Sequence, residues 1–121
     1  MGLFSQRAPL PPIPLDPEEE IHVVGSEYYG GVPRDVGTGK WVTLYLVREP
    51  TNEHDRNAVK VLWGQRHVGY LSSARAEKAA PYLDRIGPGR VFAVTGIARK
   101  ESRGRGLRVW LPTAAVYPHR T

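Results

Sequence analysis

The stretch LVREPTNEHDRNAVKV, from Leu46 to Val61, concentrates hydrogen-bonding side chains between two runs of strand-like apolar alternation. A reversal of the chain needs one or two asparagine or aspartate residues, whose side chains bond to nearby backbone N–H groups. Here Asn52, His54, Asp55 and Asn57 all follow Pro50, which stiffens the approach. A surplus of polar groups on a rigid loop is characteristic of a binding site. Asp55 is an acceptor when ionised, and the His54 ring can donate and accept.

Metal chemistry fits these residues less well. His22, His54, His67, His119, Asp55 and Glu49 are the raw material for a metal-dependent nuclease, yet they lack HExxH or paired-carboxylate spacing. No catalytic residue, metal ligand or cofactor is assigned, and a binding module rather than an enzyme is expected. Arg48 and Lys60 flank the loop and are candidates for phosphate contacts, although Arg48 can equally pair with Glu49 or Asp55 and only orient the loop. Further on, Arg99, Lys100, Arg103, Arg105 and Arg108 lead into Trp110, either as a track for a phosphate backbone or as a solvated hairpin tip.

These residues must be positioned by short strands. IHVVGSEYYGG predicts a first strand, in which the adjacent Tyr28 and Tyr29 face opposite sides. KWVTLYLV alternates as a second strand, with Trp41, Thr43, Tyr45 and Val47 on one face. NAVKVLW and RHVGYL predict a hairpin turning at Gly64-Gln65, with Gly69 permitting a bulge or a close backbone approach. SSARAEKAAPYLDRI predicts a helix capped by Ser72 or Ser73, which Pro81 should end or kink near Ala79. VFAVTGIA and LRVWLP complete the set as antiparallel partners. The fold expected is mainly β: a small, partly open β-barrel of about six strands with one or two short helices.

A chain of 121 residues is the size of one domain. It holds no cysteine, so disulfides, thiolate metal sites and thiol nucleophiles are excluded. No apolar run reaches the roughly 20 residues of a membrane span, and the N-terminus lacks a signal-peptide pattern. A cytoplasmic monomer is expected, nucleoid-associated if bacterial. Residues 1–20, including APLPPIPLDPEEE, predict a disordered, acidic tail serving as spacer or polyproline ligand. Arg7 against Asp16, Glu18, Glu19 and Glu20 puts that tail at −3, so of the net +5 the remainder carries +8. Such a body suits a polyanion, nucleic acid first, or solubility alone.

GSEYYGG, LVREPTNEHDRNAVKV and RHVGYLSSARAEKAAPYLD together resemble the signature blocks of the HIRAN domain, a module attached to some Swi/Snf-type DNA translocases and also found in bacteria. The resemblance spans about Ile21 to Val116. It implies an OB-like barrel that captures the 3′ end of single-stranded DNA without enzymatic activity, in DNA repair or replication-fork processing, beside a helicase, translocase or nuclease. It further implies that Tyr28 or Tyr29 stacks on a base, next to Glu27 where some relatives carry arginine. Asn52 and Asp55 match the positions that receive the last nucleotide and its free hydroxyl. His54 stands where end-binding relatives tend to have tyrosine. The domain is expected over residues 21–117, followed by a short tail at 118–121. An alternative is a protein-interaction domain that presents the same basic pocket to an acidic partner.

Overall fold

The computed structural model describes residues 10–119. Strand β1, Ile13–Pro14, is followed by β2, Glu19–Val24, and a 3-10 turn at Ser26–Tyr29. Then come β3, Trp41–Arg48, β4, Val59–Trp63, and β5, Arg66–Leu71. Helix α1, Ser73–Ile86, precedes β6, Phe92–Glu101, β7, Gly104–Leu111, and the short α2, Thr113–Val116. Period-two alternation sets the strands: Leu44 and Leu46 on β3, Val59 and Val61 on β4, and Leu107 and Val109 on β7 point into one core. Each such fully buried side chain contributes about 1.5–3 kcal/mol relative to exposure.

The sheet order β6-β3-β4-β5-β2-β7 returns to β6 through the β6–β7 hairpin, so six strands form a closed, OB-like barrel. The ring is complete where the sequence left room for an opening. β7 closes it by pairing with β6 from Thr95↔Trp110 to Glu101↔Gly104 and with β2 from Glu19↔Leu111 to His22↔Arg108. Between β4 and β5 the register slips, Val61 facing Gly69 while Leu62 faces His67, which is the bulge expected there. A Cβ on Gly69 would lie 2.7 Å from the carbonyl oxygen of Val24, so β2 crosses β5 too closely for any larger residue.

Three expectations change. The first strand stops at Val24, because Gly25 and Gly30 (φ 77° and 83°) bracket the 3-10 turn; both tyrosines belong to that turn and not to opposite faces of a strand. Helix α1 is capped by the Ser72 hydroxyl, which accepts from the Arg75 N–H, and continues past Pro81 to Ile86 instead of ending near Ala79. Pro81 and Glu77 both lie on the exposed side of the helix, where water can meet the carbonyl that loses its helical partner, while Ala76, Ala79, Ala80 and Leu83 are buried. Within the expected tail, residues 13–14 and 19–20 belong to strands. Ile13–Pro14 pairs parallel with Phe92–Ala93, Leu15 is buried, and Glu19–Glu20 already belong to β2. Residues 1–9 of the expected tail, and 120–121 of the C-terminal one, lie outside the described residues. Among the described residues no helix is long and apolar enough to cross a membrane.

Candidate functional site

The polar loop between β3 and β4 is held by its own side chains. The Glu49 N–H donates to the Ala58 carbonyl at 3.0 Å and closes its base. Asn52 Oδ1 accepts from the backbone N–H groups of His54 and Asp55 at 2.9 and 3.0 Å, and Asp55 Oδ1 accepts from the Asn57 N–H at 2.9 Å. These are Asx turns, the bland use of such residues. They leave Asp55 Oδ2 without a hydrogen bond among the described residues.

Asp55 lines a pocket of about 340 Å³ together with Tyr29, Asn52, His54 and Tyr70, floored by Ala58 and Leu71. The 3-10 turn brings Tyr29 to this pocket across β5. Its ring stacks on His67 with centroids 3.9 Å apart and lies 6.3 Å from that of Tyr70. Tyr28 projects beside it, 83% exposed. One tyrosine is therefore fixed in the wall, and its neighbour in the chain is open to solvent.

Beneath the loop, Glu49 gathers the site. Its Oε1 accepts from the Tyr70 hydroxyl at 2.7 Å and from Asn52 Nδ2 at 3.1 Å, while Oε2 lies 3.6 Å from Lys60 Nζ. Burial opposes its ionisation, but the bonds from Tyr70 and Asn52 and the Lys60 charge outweigh it and hold the carboxyl below its ordinary value. Burial and the bond to the Glu49 carboxylate raise the Tyr70 phenol, so it stays protonated and donating. Burial likewise depresses His67 despite its contact with the Gly69 carbonyl, which favours a neutral ring under Tyr29.

The arginines expected on phosphates are mostly engaged elsewhere. Arg48 forks onto Asp84 of α1 and donates to the Ala58 carbonyl at 2.9 Å, so it orients the loop with a partner other than Glu49 or Asp55. Arg105 donates to the carbonyls of Val36 and Pro33 and clamps the loop between the 3-10 turn and β3. Arg108 pairs with Glu20 at 2.7 Å and Glu101 at 3.2 Å. Trp110 lies edge-on to Trp41, centroids 5.1 Å apart, and does not line the pocket. Arg103 alone of the hairpin arginines assigned to the site is exposed without an ion pair or hydrogen bond among the described residues.

The pocket thus unites Tyr29, Asn52, His54 and Asp55, with Tyr28 and Lys60 adjoining. Sequence reasoning missed Tyr70 as a wall and Glu49 as its anchor. The signal lay in Lys60 and Tyr70, which face each other across the predicted hairpin. Among the described residues, no three His, Asp or Glu side chains gather in metal-ligating geometry.

A family model described as the HIRAN domain matches residues 18–112. Among solved structures, the crystal structure of the HIRAN domain of human HLTF is similar, with 25% sequence identity and a TM-score of 0.53 over 76% of this chain and 73% of that one. No curated protein matches the chain.

Proposed function

The chain belongs to the HIRAN domain family, and from that premise we propose that it is a non-enzymatic nucleic-acid-binding module that takes the 3′ end of single-stranded DNA into the Tyr29–Asp55 pocket. The observation that carries this reading is the uncommitted Oδ2 of Asp55, on a loop braced by the Asn52 side chain and by Asp55 Oδ1. A terminal 3′-hydroxyl donates to that oxygen, a charge-assisted bond. A 3′-phosphate would meet carboxylate repulsion. Tyr28 offers an open ring face for a base, and His54 at the pocket edge is placed to stack or to donate to a phosphate. In this reading the module serves DNA repair or fork processing alongside a helicase, translocase or nuclease.

Fluorescence anisotropy with short single strands ending in 3′-hydroxyl or 3′-phosphate tests it. Wild type should prefer the hydroxyl end, and Asp55→Ala should lose about 10- to 100-fold on that end alone, the worth of one hydrogen bond to a charged group. Equal, weak binding to both ends, unchanged by the substitution, would refute end capture and favour a protein partner for the pocket.

A further inference from the structure

On the other side of the 3-10 turn lies a larger groove of about 700 Å³, whose walls are the β2 end with Ser26 and Glu27, the loop carrying Arg34, and the β6–β7 tip carrying Arg103. Ser26–Tyr29 is the wall shared with the Asp55 pocket, since Ser26 and Glu27 line one concavity and Tyr29 the other. We propose that this groove carries the phosphates of the nucleotides preceding the captured end, with Arg34 and Arg103 as their contacts. The proposal rests on the end-capture reading and extends it along the strand.

Charge and availability point this way. Arg34 and Arg103 are both exposed, and neither has an ion pair or hydrogen bond among the described residues. An arginine so placed presents its whole fork of donors to a phosphate. Arg105 lines the same groove, and its guanidinium, bonded to the Val36 and Pro33 carbonyls, fixes the loop from which Arg34 projects. Glu101 in the wall is paired with Arg108 at 3.2 Å, an arginine it shares with Glu20 at 2.7 Å, so Arg34, Arg103 and Arg105 face the two carboxylates Glu27 and Glu101 in the lining. The Ser26 hydroxyl is buried there with no hydrogen-bond partner, an additional polar group at the turn. The exposed Tyr28 falls in the chain between Glu27 of the groove and Tyr29 of the pocket, so a base stacked on it would lie between the terminal nucleotide and the groove.

The test compares a 3′-hydroxyl dinucleotide with a 3′-hydroxyl hexanucleotide, on wild type and on the double variant Arg34→Ala, Arg103→Ala, across a salt series. Wild type should bind the longer strand more tightly. The double variant should match wild type on the dinucleotide but lose the gain from length, with its log–log salt slope on the hexanucleotide shallower by about 1.4, since each phosphate contact on a single strand contributes about 0.7. An unchanged affinity and slope on the hexanucleotide, with dinucleotide binding intact, would overturn the groove and leave end capture standing. Failure of wild type to bind either strand would overturn both.

Discussion

Arg48 and Asp84 face each other as a fork, Nε 2.9 Å from Oδ1 and Nη2 3.1 Å from Oδ2, and so tie the start of the polar loop to α1. The arginine side chain is only 9% exposed and its third contact is the Ala58 carbonyl at the loop's far end. Arg48→Ala should therefore cost about 1–3 kcal/mol in stability, through loss of the charge-assisted bonds to Asp84 and to the Ala58 carbonyl, which keeps only the Glu49 N–H. Denaturant unfolding measures this. The salt slope of DNA binding should not change, and a slope reduced by about 0.7 would instead make Arg48 a phosphate contact.

The two tyrosines should separate cleanly. Tyr28→Ala removes an exposed ring and should leave the melting temperature unchanged while weakening strand binding by about 1–3 kcal/mol, the worth of one base–aromatic stack. Tyr29→Ala removes the ring stacked on His67 and should lower stability as well as binding. Equal stability losses from both would contradict the free and fixed roles.

Glu27 is an exposed carboxylate lining the groove beyond the turn. Glu27→Arg should strengthen binding of a longer strand by roughly 3- to 10-fold at low salt, and the gain should shrink as salt screens it. No gain at low salt would place the strand away from this wall.

Acid should loosen the site in two steps. His67 and Glu49 both titrate below their ordinary values of 6.5 and 4.5, so the unfolded chain binds more protons than the folded one as pH falls. Their contributions are complete above those ordinary values and are lost as pH drops through the lower, folded values. Melting temperature should fall first below about pH 6.5 and again below about pH 4.5. His67→Phe, which keeps a ring under Tyr29, should abolish the first decline; its persistence would assign that decline to another group.

The barrel strands were readable because alternation survives in single stretches such as Trp41–Arg48, and the loop because Pro50, Asn52, Asp55 and Asn57 lie within one short window. The 3-10 turn was hidden by the β-prone run before it, although Gly25 and Gly30 marked its limits. Pro81 misled because a local rule ignores that its side of α1 faces water. The roles of Arg48, Arg105 and Arg108 could not be read at all. Their partners Asp84, Pro33 and Glu20 stand 36, 72 and 88 residues away along the chain, on a helix, a loop and a strand that only the folded structure brings beside them. Tyr70 meets Glu49 across 21 residues through the successive pairings of β3, β4 and β5, so its place follows from the hairpin.

The matched block, residues 18–112, is smaller than the unit that holds itself together. Ile13–Pro14 occupies the margin of β6 that β7 does not reach, Leu15 is buried behind it, and Ala115 and Val116 of α2 are buried too. A graft trimmed to the block would carry the complete pocket yet arrive with one bare strand margin at Phe92–Ala93 and an uncovered apolar seat. Bare margins recruit strands from other chains. Cut at the limits of the matched block, the module would keep its pocket and gain an open edge on which another chain could pair.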